Sequence, residues 1–192
     1  MTPWPFGTLQ MFGYGAILAD PPWSYQMRSE KGYEKSPEAH YQTMTDQDIA
    51  SLPVGQLAKP DCLLFMWAVA PKIDVALAVM KAWGFTFKTM GSWHKVSNTG
   101  KTCFGTGYIF RSAMEPYIVG TMGSPKIGSR SVRNVIVAER REHSRKPDAM
   151  RRNVELLTPK QFRCELFARE PWPGNDVWGN QTSKFNGEVD LP

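Results

Sequence analysis

Cysteine is scarce in this chain of 192 residues: Cys62, Cys103 and Cys164 are all it has, and no two form a C-x-x-C pair. An odd, scattered set argues against both a disulfide framework and a cysteine zinc site. His40, His94 and His143 are equally dispersed, with no H-E-x-x-H spacing, so no metal mechanism is expected. The longest apolar run, Cys62 to Ala70, is nine residues, against the roughly 20 that a membrane helix needs. The first 20 residues hold no Lys or Arg, so no secretory n-region is expected. Neither a repeat nor a low-complexity linker divides the chain. These absences lead us to expect a cytoplasmic protein that does not associate with membranes.

What is present suits one globular core. Hydrophobic residues make up 42%, charged residues 21% and aromatics 12%, which excludes disorder as the main reading. Sixteen Gly and fifteen Pro promise many turns. The length fits a single domain over 1–192, with a core at about 14–182. The formal net charge is +5, yet Lys126 to Arg152 alone carries nine basic residues against three acidic ones. That segment reads either as a solvated surface loop or as an electrostatic footprint for a polyanion.

Short apolar strands alternate with helices. Gly15 to Asp20 and Cys62 to Ala68 read as buried strands, with further strand candidates at 85–93, 106–111, 116–121 and 134–139, and a last core strand at Arg163 to Ala168. Helices are predicted after Thr45 as N-cap, with Asp48 at N3 and Pro53 as the stop, and over Lys72 to Trp83, between Pro71 and Gly84. A third begins through Pro147 and puts Met150, Val154 and Leu157 on one face. Trp67, Trp83 and Trp93 read as core. The alternation predicts an α/β sandwich with a mostly parallel sheet. Ligands in such sheets bind at the carboxyl ends of the strands, here Asp20 after the first and Arg169 after the last.

Asp20-Pro21-Pro22-Trp23 stands at that first strand end. An acid or amide, two prolines and an aromatic in a row should occur by chance in roughly one chain of this length in a hundred. Two prolines fix φ and lack an N–H, so the loop is stiff and its carbonyls are expected to have no intrachain donors. A carboxylate beside a proline carbonyl matches the two hydrogens of a base's exocyclic amino group. Accepting both hydrogens favours the pyramidal nitrogen that can attack a methyl sulfonium. Trp23 is expected to offer a stacking face worth about 1–3 kcal/mol. The target base must be single-stranded or flipped out.

"ILADPPW", "HYQTM", "FMWA", "VIVAERREHSRKPD", "CELFARE" and "WGNQ", in that order from about Ile17 to Gln181, resemble the MT-A70 family of S-adenosylmethionine-dependent adenine-N6 methyltransferases. The resemblance implies a Rossmann-like methyltransferase fold in permuted order, with the catalytic strand early and the cofactor strand late. It implies S-adenosyl-L-methionine as cofactor and methyl transfer to adenine N6 in nucleic acid. Asp20, Pro21, Pro22 and Trp23 match the family's catalytic tetrad. Asp20, Lys146, Glu165, Arg169, Asn180 and Gln181 match its cofactor pocket, with Glu165 and Arg169 near the ribose. Trp23, Tyr25, Tyr41 and Lys146 are the expected contacts to the target base. Where eukaryotic members carry His-Asn after the "ELFGR" segment, this chain has Glu170-Pro171-Trp172-Pro173-Gly174, which makes Trp172 or Asn175 the expected substitute. Nothing upstream of Asp20 corresponds clearly to the acidic dipeptide that holds the cofactor's adenine in those members.

Two loops interleave aromatics with cations, as a strand-binding groove would: Ser24 to His40, and Lys95 to Arg111 with Lys101, Phe104 and Tyr108. DNA is the preferred expected substrate, on family analogy. An RNA adenine methyltransferase, a cytosine-N4 enzyme and a catalytically silent nucleic-acid-binding subunit remain as alternatives. A homodimer or a partner subunit is left open.

Overall fold

The computed structural model describes residues 3–24, 44–141, 145–180 and 182. Seven strands form one sheet: β1 (Tyr14–Ala19), β2 (Ala58–Trp67), β3 (Thr86–Val96), β4 (Met114–Met122), β5 (Val135–Glu139), β6 (Arg163–Leu166) and β7 (Asp176–Trp178). Their order across the sheet is β5-β3-β4-β2-β1-β6-β7. β1 runs parallel to β2 and β6, β6 to β7, and β3 to β5. Among the described strands only β4 is reversed, antiparallel to both β2 and β3. The expected α/β sandwich with a mostly parallel sheet is therefore present, in a Rossmann-like arrangement.

Strands read as continuous apolar runs do so because both sheet faces are covered. Ile17 and Ala19 of β1 join Leu64 and Met66 of β2 in one core, against α1 (Asp46–Ser51) and α2 (Ile73–Ala82). Ala16, Leu18, Leu63, Phe65 and Trp67 turn to the other face and meet Met150 and Val154 of α3 (Asp148–Leu157). Trp67, Trp83 and Trp93 are all buried, as expected. Thr45 caps α1, its hydroxyl oxygen accepting from the Asp48 N–H at 3.1 Å and its O–H donating to the Asp48 carboxylate at 2.6 Å.

Three details differ from expectation. Residues 106–111 are a bent loop rather than a strand: Gly107 interrupts the run, and no strand among the described residues pairs with it. β6 is not the last core strand: β7 follows and pairs with it through Cys164–Asp176, Glu165–Val177 and Leu166–Trp178. β2 begins at Ala58, four residues earlier than the apolar run. The extra turn of strand carries Pro60 where the register with β1 slips between Tyr14–Ala58 and Ala16–Leu63. Proline is tolerated there because a shifted register needs no ladder N–H.

Candidate active site

The Asp20-Pro21-Pro22-Trp23 loop is tied down along its length. The Asp20 N–H donates to the Leu166 carbonyl at 3.3 Å, extending the β1–β6 ladder by one residue. The Trp23 N–H turns back to the Pro21 carbonyl at 2.8 Å, and the Met44 N–H reaches the Pro22 carbonyl at 3.1 Å. At the loop's end, the Lys72 ammonium donates to the Ser24 carbonyl at 2.7 Å and to Asp46 at 2.5 Å. The proline carbonyls thus do have intrachain donors, contrary to expectation. A carbonyl has two lone pairs, so each keeps capacity for a second hydrogen.

Trp23 is a further correction. It is 4% exposed, packed in the core, and its indole N–H donates to the Trp67 carbonyl at 3.1 Å. The ring anchors the loop from beneath and presents no open stacking face. Trp23→Ala should therefore lower stability by about 3–5 kcal/mol in urea unfolding, as large-to-small core substitutions do.

Beside Asp20 lies a chain of alternating charges. The Lys146 Nζ is 3.0 Å from Asp20 Oδ2 and 2.8 Å from Glu115 Oε1, and Lys95 Nζ is 2.7 Å from Glu115 Oε2. Lys146 also stands over the Trp67 ring at 5.4 Å, and Lys95 over Trp93 at 4.8 Å. All four side chains come from different places: the end of β1, the entry to α3, the start of β4 and the end of β3.

Burial penalises both carboxylates, yet they titrate in opposite directions. Burial raises Asp20 above its ordinary value, with Lys146 pulling it back and Glu115 adding to the rise. For Glu115 the same burial is outweighed by Lys146 and Lys95, which bring it down to about 2. Burial works against charge on Lys146 too, but Asp20 and Glu115 reverse that and hold its ammonium protonated. The two acids are split in this way by their surroundings: Glu115 is held as a fixed negative charge, and Asp20 is made the more basic of the pair. Because the Glu115 value is depressed on folding, its stabilisation is present above its ordinary 4.5 and lost as pH falls towards about 2. Glu115→Gln should flatten the fall in stability between about pH 5 and about pH 2, measured by urea unfolding.

A narrow, partly open cleft lies next to Asp20, at the carboxyl ends of β1 and β6. These are the neighbours from which the chain runs outward in opposite directions, towards β2 and towards β7, the place where open α/β sheets bind ligands. Glu165, Arg169, Lys146 and Glu170 join Asp20 in its wall. Glu165 is 9% exposed, and the Arg151 guanidinium contacts its Oε2 through Nε and an Nη, each at 2.7 Å. Burial pushes Glu165 up to about 7, against the pull of Arg151. Glu170, the last residue of the CELFARE segment, also lines the cleft and accepts from Arg145 at 2.7 and 3.1 Å, although no role was read for it from the sequence. Phe167, also in the wall, has φ 62, in the left-handed region that side chains rarely adopt.

The structure brings together Asp20, Lys146, Glu165 and Arg169. Pro21 and Pro22 border them in the loop. Asn180 is exposed beyond the end of β7 and does not line the cleft. Tyr25, Tyr41 and Gln181 lie outside the described residues. Neither expected substitute for the missing His-Asn reaches the cleft: the Trp172 N–H donates to Glu155 in the core, and Asn175 holds a turn and receives Arg163. Glu115 escaped sequence reading, since a lone acid just before a strand candidate carries no motif. The basic segment is split by topology. Lys126, Arg130 and Arg133 sit in the loop from β4 to β5, at the opposite end of the sheet from Asp20. Arg141, Arg145, Lys146 and Arg151 are at the cleft end and are ion-paired. One continuous footprint is not what the fold makes.

Comparison with known proteins gives this chain a family. The MT-A70 family model matches residues 14–181, from the first strand to the residue beyond Asn180. The chain belongs to the MT-A70 family. It is accordingly a methyltransferase. It is 31% identical to the Type II methyltransferase M.MunI of Mycoplasma sp over 93% of this chain and 81% of that one. It is 32% identical to the N(6)-adenosine-methyltransferase MT-A70-like protein of Arabidopsis thaliana and 29% to the human N(6)-adenosine-methyltransferase catalytic subunit METTL3, over 81% of this chain in both cases. The chain spans only 22% and 26% of those two eukaryotic relatives. No helix of the described residues is long and apolar enough to cross a membrane.

Proposed function

We propose that the protein transfers a methyl group from S-adenosyl-L-methionine to N6 of adenine in nucleic acid, with DNA preferred. The observation that carries this is the Asp20 carboxylate at the mouth of the cleft between β1 and β6, raised in basicity by burial and held by Lys146. The donor set fits the cofactor. Glu165 at the end of β6 offers a carboxylate for vicinal ribose hydroxyls, and Arg169 and Lys146 offer cations for a carboxylate. When bound, S-adenosyl-L-methionine supplies an electrophilic methyl group. Asp20 accepts a hydrogen bond from the base's amino group, and a proline carbonyl takes its second hydrogen. Both acceptors are fixed before the base arrives, so they stabilise the developing charge without reorganisation.

DNA is favoured because the Type II methyltransferase likeness runs along most of both chains, whereas the adenosine-methyltransferase likeness covers a small part of those relatives. RNA is the second reading, favoured by adenosine, a ribonucleoside, in the names of those same relatives. Labelled methyl transfer to single-stranded DNA, duplex DNA and RNA at low salt, with the product digested and identified by mass, decides between them. N6-methyladenine in DNA is the expected product. Tight polymer binding with no methylation of any polymer would instead mark a silent subunit. Glu165→Gln should weaken cofactor binding roughly tenfold, as loss of a hydrogen bond to a charged group does, while leaving polymer binding unchanged. Equilibrium dialysis and a DNA shift assay read the two separately.

A further inference from the structure

The loop between β3 and β4 leaves and re-enters the sheet at the active-site end. Its root residues are Lys95 and Glu115, the outer half of the charge chain that reaches Asp20 through Lys146. Its tip is apolar and open: Ile109 is 89% and Phe110 84% exposed, more than any other exposed large hydrophobic side chain among the described residues. Two such side chains together at a loop tip gain nothing from solvent and mark a contact surface.

The loop is braced, not slack. Its first leg folds back on β3, with Ser97 N–H donating to the Lys101 carbonyl at 2.8 Å, Cys103 N–H to the Lys95 carbonyl at 2.8 Å, and Thr102 bridged to Val96. The tip is closed by Gly105 N–H to the Ser112 carbonyl at 2.8 Å, and beneath it the Arg111 guanidinium lies 5.1 Å from the Phe104 ring centroid. Any Cβ on Gly107 would stand 2.0 Å from the Phe110 carbonyl oxygen, so the turn that presents Ile109 and Phe110 requires glycine there. Between Ser97 and Ala113 the loop holds Lys101 and Arg111 and no Asp or Glu. A rigid apolar tip on a purely cationic loop suits entry into a stack of bases flanked by phosphates.

We propose that Ile109 and Phe110 form a wedge that enters the base stack of duplex DNA beside the target adenine and holds the duplex open while that adenine sits against Asp20. The inference rests on the adenine-methyltransferase reading above and adds how a paired base reaches the cleft. Ile109 is six residues from Glu115, within about 20 Å of extended chain, so the tip and the cleft engage one short stretch of nucleic acid. Cationic character and a net charge of +5 for the chain favour this occupant over a second copy of the protein.

The test compares wild type with the double variant Ile109→Ser/Phe110→Ser on three substrates: the duplex, its single strand, and the duplex with an abasic site opposite the target adenine. Both side chains are exposed, so folding should be retained. Transfer to the paired duplex should fall about 10–100-fold, the range that losing a few kcal/mol of base-opening assistance predicts. Transfer to the single strand should stay within about threefold, and the abasic duplex should recover most of the rate. A 2-aminopurine placed at the target should brighten on binding wild type and stay dim with the variant. Equal losses on single strand and duplex would overturn the wedge, and if sedimentation showed the oligomer changing at the same time, they would assign the tip to a second copy. An unchanged duplex rate, or a wild type active only on single strands, would overturn it as well. If wild type methylates nothing, the adenine-methyltransferase reading fails, and 2-aminopurine brightening still decides the wedge.

Discussion

Asp20→Asn should lower methyl transfer by roughly 10³-fold, the middle of the range for losing a positioned proton acceptor, with little change in melting temperature. The amide keeps the shape of the carboxylate, and burial already opposes charge at this position, so folding loses little. What disappears is an anionic acceptor for one amino hydrogen; the amide presents a donor in its place. On the proposed mechanism, in which the ionised carboxylate accepts the amino hydrogen, the raised Asp20 value should move the acid limb of kcat/KM to higher pH than an ordinary aspartate would give. Activity is lost as pH falls through that raised value. A fully active, well-folded Asp20→Asn protein would end the proposed mechanism.

Lys146→Met should be the most damaging single change outside the Asp-Pro-Pro-Trp loop. The ammonium serves Asp20 at 3.0 Å and Glu115 at 2.8 Å, and both carboxylates are mostly buried. Removing it leaves two acids facing one another, with Lys95 still on Glu115 and only the weaker pull of Arg169 on Asp20, at a cost of about 3 kcal/mol, the low end for a broken buried pair. The informative readout is the pH profile. With its principal lowering influence gone, Asp20 should titrate higher still, and the acid limb of kcat/KM should move up relative to wild type. Lys146→Arg, which keeps the charge, should recover most of the stability. An unmoved acid limb in Lys146→Met would show that the lysine does not act through Asp20.

Much of the site was legible because its pieces are local. Asp20 follows a run of apolar residues whose two faces are both buried, and two prolines fix the chain just after it, so a strand end with a stiff acidic loop could be read directly. Arg169 follows from strand-end logic after β6, whereas Glu165 was legible only through family resemblance. Lys146 was legible only through family resemblance, since a lysine in a basic stretch has no distinguishing local pattern. Glu115 was not legible at all. It reaches Lys146 because β4 returns antiparallel between β2 and β3, and which strand lies beside which is a property of the whole sheet. Trp23 shows the opposite limit: an aromatic beside a catalytic acid is equally suited to stacking a base or filling a core, and only packing chose the core.

The sequence by itself determined the α/β alternation, the stiff acidic loop at the first strand end and the family to which the chain belongs, because each is written in neighbouring residues or in ordered motifs. The tertiary structure alone decided which charges meet. It divided one run of basic residues between opposite ends of the sheet, paired those at the cleft with carboxylates from distant strands, and gave the two acids that share Lys146 opposite titration shifts. Desolvation and Coulomb energy depend on distance and burial in space, and neither is a function of spacing along the chain.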